Sequence, residues 1–265
     1  MRRPFRFGVI KRFLITIVWI AIYALLPANA SASQVYGHLY FAEMMLRTEP
    51  CSYINRHDSS RAAFLLGSLS PDSAWIAHML TQPEVRSRLM QRYEVKFPRN
   101  LPEHTSHIED IHQKLPRHFA LQLIRAAVSD EEQAFAIGWL SHYAADSYMH
   151  DLINRHGGFV EDSDHFDSAA MKMHDYLEAL EMRHVFQLDG ELLRNAADAA
   201  SHSKMPLKLL QDVFANIYPD NPYFTEHSQD FNRYMTLSSK LMLDSTRWYG
   251  YQSQHSPIEI ERIKR

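Results

Sequence analysis

SDEEQAFAIGWLSHYAADSYMHDLIN, residues 129–154, is the stretch on which the fold turns. Ser129 followed by Glu132 is a capping-box pattern, in which each side chain satisfies an amide that the first helical turn leaves bare. AFAIGWLS (134–141) carries no charge, and Gly157-Gly158 supplies the stop. Such a helix belongs in a core, yet His142, Asp146 and His150 recur along it every four residues. Side chains at i and i+4 sit about 5–6 Å apart on one helix face, so these three form a ladder of potential ligands. Polar and charged groups beside Phe135, Trp139, Met149 and Ile153 are costly unless paired or bound to a metal ion.

Outward from this helix the apolar residues keep helical rather than alternating spacing, and the chain has only 8 glycines. Helices are expected at 38–47, at 59–67 ending on Gly67, and from 71 to 80 starting with Pro71, as helix starts often do. Another begins at Pro83, and a loop rich in Pro and His follows at 98–116. Pro116 to Val128 precedes the central helix, and 167–186, 190–201, 206–217 and 225–250 follow it. No segment reads as a strand. The expectation is an all-α, single-domain multi-helix bundle.

The first 32 residues are set apart from that bundle. Arg2, Arg3, Arg6, Lys11 and Arg12 form a basic leader, FLITIVWIAIYALL (13–26) is apolar, and small residues follow in PANASA. This is the pattern of an export signal, cleaved after Ala30 or Ala32; the apolar run is short for a membrane span. Export to the periplasm or the medium is therefore expected, with residues 33–265 as the mature chain. Without the five basic residues of the leader, 23 basic face 31 acidic residues, a net charge of −8. That balance argues against a duplex DNA binder. Cys51 is the single cysteine, which excludes an intrachain disulfide and leaves packing or metal ions to stabilise an exported chain.

His174 and Glu178 repeat the four-residue spacing in the next expected helix. Two antiparallel helices would bring both sets together in a bundle core, where metal sites are commonly built. Imidazole and carboxylate ligands without thiolate suit zinc with a position left open for water.

At this point the chain resembles the bacterial zinc-dependent phospholipases C, which are related to the fungal zinc-dependent single-strand nucleases. The resemblance rests on His142-x3-Asp146, then His150, then His174-x3-Glu178, and on weaker matches upstream. GHLYFAEMM offers His38, LGSLSPDSAW offers Asp72, and HTSHIED offers His107, with His104 as its rival. The order holds over residues 38–186; residues 187–265 match nothing nameable. By resemblance one zinc would be held by Asp72, His107, His142 and Asp146, and a second by His150, His174 and Glu178. A third would fall to His38 and the mature N-terminus, with Asp146 bridging.

Three departures stand against the pattern. Three residues rather than five separate Asp146 from His150, no Trp opens the mature chain, and His38 follows closely on the cleavage site. The first leaves the placement of His150 open, and the others leave two or three zinc ions open. The implied function is an exported phosphodiesterase acting on a phospholipid or another phosphodiester, in transient contact with a membrane surface. Asp72 would orient or deprotonate the attacking water; otherwise it is a helix-start carboxylate beside Pro71. A nuclease or phosphatase of the same fold, or a non-catalytic zinc-stabilised binding protein, remains the alternative. His57, His78, His112, His118, His156, His165 and His184 read as surface or loop residues, and Tyr143, Tyr148 and Tyr176 as core.

Overall fold

A computed structural model describes residues 35–48, 54–79, 116–157, 190–221 and 228–255. Among them all regular structure is helical: α1 (Val35–Leu46), a 3-10 turn (Ile54–Arg56), α2 (Asp58–Met79), α3 (Pro116–Ala126), α4 (Asp130–Gly157), α5 (190–201), α6 (Leu207–Ile217) and α7 (Ser228–His255). The all-α expectation holds. No helix among the described residues is long and apolar enough to cross a membrane.

The capping box at the head of α4 forms as its sequence dictates. The Glu132 amide donates to Ser129 Oγ at 3.1 Å, and Glu132 Oε2 accepts from the amides of Val128 (2.8 Å) and Ser129 (3.2 Å). Bare N–H groups of the first turn are thereby satisfied, and Asp130, Glu131 and Glu132 oppose the positive end of the helix dipole. From that cap α4 runs for 28 residues, about 42 Å at a helical rise.

The sequence reading broke α2 into two helices; the chain forms one, from Asp58 to Met79, straight through Gly67 and Pro71. Gly67 is no terminator, because it is the point where α2 crosses α4. A Cβ placed on it would strike the carbonyl oxygen of Phe135, and one on Gly138 would strike that of Phe64. The two glycines let the backbones touch, and the crossing is the tightest constraint on how α2 sits against α4. Pro71 lies four residues on and has no N–H for the Gly67 carbonyl, so the helix loses one rung there. Ser68 Oγ and Ser70 Oγ donate to the carbonyls of Leu65 (2.8 Å) and Leu66 (2.7 Å), which ties the turn locally.

Around this crossed pair the other helices pack. Phe119 of α3, Trp139 of α4 and Phe214 of α6 are fully buried, with ring centroids 5.2 Å apart for Phe119–Trp139 and 4.7 Å for Phe119–Phe214. Phe231 of α7 continues the cluster, edge-on to Phe214 at 5.1 Å. Such tilted aromatic pairs contribute about 0.5–1.5 kcal/mol each beyond area burial. On the other side α1 is registered against α2 by a nearly buried carboxylate: Arg61 Nη2 donates to Glu43 Oε2 at 2.6 Å, with Arg47 Nη2 3.8 Å from Oε1. That clip fixes which face of α1 looks inward, and His38 lies on it, 2% exposed.

Candidate metal centre

His38 of α1, Asp72 of α2, and His142 and Asp146 of α4 converge on one point between the three helices. His142 Nε2 lies 3.0 Å from Asp146 Oδ2, the two being one helical turn apart. His38 Nε2 lies 3.1 Å from the other oxygen, Oδ1, of the same carboxylate. Asp72 stands a little further off, 3.6 Å from His142 Nε2 and 3.8 Å from His38 Nε2. The two imidazoles stack, with centroids 3.6 Å apart and planes 23° from parallel. Both histidines are essentially buried, whereas the Asp72 side chain keeps 16% of its surface exposed.

The other nitrogen of His142 settles its tautomer. Nδ1 lies 2.9 Å from the carbonyl oxygen of Ser68. A carbonyl only accepts, so Nδ1 carries the hydrogen. The glycine crossing makes this bond available: Ser68 follows Gly67, and His142 stands one turn beyond Gly138. Burial pushes the His142 pKa below its ordinary value, and the neighbouring His38 pushes the same way against the opposing pull of Asp146 and Asp72. A neutral ring with hydrogen on Nδ1 has its Nε2 lone pair aimed at anionic oxygens. A cation between them turns that geometry from repulsive to favourable.

The donor set fits zinc. Ligand atoms of His38, His142 and Asp146 all lie within 4.8 Å of one another. Around a tetrahedral zinc with bonds of about 2.0–2.2 Å, ligand atoms sit about 3.4 Å apart, close to the spacing here. The Nδ1–H to carbonyl bond of His142 is the outer-shell contact that metal-binding histidines commonly make. His38 lacks its counterpart: its Nδ1 is buried and has no hydrogen-bond partner among the described residues.

Of the eight candidate ligands read from sequence, four meet here. Asp72 lies well inside α2, which removes the helix-start reading of that residue. His150 stands on α4 one turn past Asp146, and its side chain lies outside what is described. His107, its rival His104, His174 and Glu178 also lie outside the described residues, as does the leader over 1–32. Tyr143 is core, as expected, and burial holds its phenol well above the usual range and hence neutral. His57 and His118 are exposed, again as expected. Sequence reasoning missed Ser68, Glu43 and Arg61. A backbone carbonyl leaves no mark in a sequence, and an ion pair 18 residues apart has no helical spacing to betray it.

With this geometry in view, comparison with known proteins places the chain. A family model described as zinc-dependent phospholipase C covers residues 37–202, from just before His38 to well beyond residue 186, where the resemblance read from sequence ended. No curated protein and no solved structure matches the chain.

Proposed function

Because the chain belongs to the zinc-dependent phospholipase C family, we propose that it is an exported hydrolase that cleaves a phospholipid phosphodiester with water. The observation that carries this reading is the convergence of His38, Asp72, His142 and Asp146 from three helices, with His142 Nδ1 held on the Ser68 carbonyl. These residues would hold zinc, with His107, His150, His174 and Glu178 completing a set for two or three ions. Zinc bound there supplies Lewis-acid chemistry, acidifying water and offsetting phosphoryl charge.

The rest is the work of the chain. Ser68 keeps the hydrogen on His142 Nδ1, so in the neutral ring it is Nε2 that presents the lone pair. Asp146 offers one oxygen to the side of each imidazole, which would suit it to hold a cation there rather than to take a proton. Asp72 stands further from both rings and keeps contact with solvent, which suits it to orient the attacking water and accept its proton. The product would be a diacylglycerol and a phosphorylated headgroup, released after transient contact with a membrane surface.

Purified mature protein should contain two to three zinc ions by elemental analysis and hydrolyse members of a phospholipid panel. A zinc-loaded protein that cleaved single-stranded nucleic acid and no phospholipid would replace the substrate in this reading. A fully folded protein without zinc would end it.

A further inference from the structure

α7 (Ser228–His255) lies beyond residue 202, where the family match stops, yet it packs along α2 beside the metal centre. The contact that matters is a hydroxyl pair, Ser73 Oγ to Ser239 Oγ at 2.8 Å, with Ser73 fully buried and Ser239 5% exposed. Either hydroxyl can donate, and Ser73 is the residue next to Asp72. Successive side chains on a helix diverge by about 100°, so Asp72 faces the imidazoles while Ser73 faces α7. The turn they share has lost a rung, because Pro71 offers no N–H to Gly67. Its position therefore depends more than that of an ordinary turn on ties from outside α2. Ser68 supplies one such tie, toward α4 through His142, and Ser73 supplies the other, toward α7.

We propose that Ser239 is a positioning residue of the metal centre: through Ser73 it holds the proline-weakened turn of α2 so that Asp72 stays within reach of His38 and His142. This makes α7, which the family model leaves uncovered, part of the centre's scaffold. The inference rests on the proposed zinc-binding reading of that centre.

Zinc affinity, measured by competition with a chromogenic chelator on the mature protein, tests it without relying on activity. Ser239→Ala should weaken the zinc site about 5- to 10-fold. Ser73→Ala should do the same, and the double variant should be no worse than either. In an Asp72→Asn background Ser239→Ala should have no further effect, since its route to the metal is gone. Thr246→Val removes a buried hydroxyl of α7 that bonds within its own helix (Thr246 Oγ1 to the Met242 carbonyl, 2.8 Å) and should leave affinity unchanged. Wild-type affinity in Ser239→Ala would overturn the inference while leaving the zinc reading intact. So would an effect of Ser239→Ala that persists undiminished without the Asp72 carboxylate. A wild-type protein that binds no zinc overturns both.

Discussion

α2 meets α4 and α7 in opposite ways. Against α4 it offers Gly67, and the contact exists because both backbones lack a side chain at the crossing. Against α7 it offers Ser73, and the contact exists because two side chains meet. The first has no tolerance, since any added atom meets a backbone oxygen that cannot rotate away. The second includes a hydroxyl pair of modest net worth, about 0.5–1.5 kcal/mol, within a longer packed face, though either partner left alone would be a buried unsatisfied group. The first contact assembles the site, and the second adjusts it.

Breaking the crossing should have the largest effect. Gly138→Val puts a branched side chain against the Phe64 carbonyl and should cost at least about 3 kcal/mol, by the scale of overpacked cores. Denaturant unfolding checks this, and a variant within about 1 kcal/mol of wild type would show that the helices can separate without harm. Zinc uptake should be lost with the fold.

Asp146→Asn separates the fold from the chemistry that the crossing assembles. Size is kept and the charge offsetting the bound cations is removed, so at least one zinc ion and nearly all phosphodiesterase activity should go. Far-UV circular dichroism should be unchanged, because α4 is set by its cap and by Gly138 rather than by Asp146. Full zinc content and activity in Asp146→Asn would make the four-residue ladder coincidental.

Acid should act on the α4 side through His142. The folded protein holds the His142 pKa below its ordinary value of 6.5, so the unfolded chain binds more protons in that window. Stability of the metal-free protein should therefore fall as pH drops through 6.5 toward the lowered value, and level off below it. Zinc affinity should fall over the same range, because the ligand must be deprotonated. His142→Gln should flatten this part of the slope in urea titrations at pH 5 and 7, whereas Ser239→Ala should leave the slope alone, since neither hydroxyl titrates there. An equal slope in His142→Gln would remove His142 as its source.

The smallest change sharpens the α7 side. Ser238 is fully buried beside Ser239, and its hydroxyl has no partner among the described residues. Removing an unsatisfied hydroxyl is close to neutral or stabilising, so Ser238→Ala should leave the melting temperature unchanged or slightly raised. A clear loss there would mean that the Ser238 hydroxyl is satisfied in the folded protein.

What could be read from the sequence alone was whatever is local. The cap of α4 lies within four residues, the His142–Asp146 pair within one helical turn, and the all-α fold in the spacing of apolar residues, so short-range geometry determined all three. The resemblance carried His38 and Asp72 further, naming candidate ligands whose meeting no spacing implies. Gly67 and Pro71 were misread as helix ends because their usual local meaning is to terminate or start a helix. Here a partner 68 residues away, the Phe135 carbonyl, makes the glycine a crossing point and keeps the helix running. The anchor of His142 on Ser68, the Glu43–Arg61 clip and the tie between Ser73 and Ser239 belong to the same class. Each joins groups whose separation in sequence bears no relation to their separation in space, and only the packing of α1, α4 and α7 on α2 decided them.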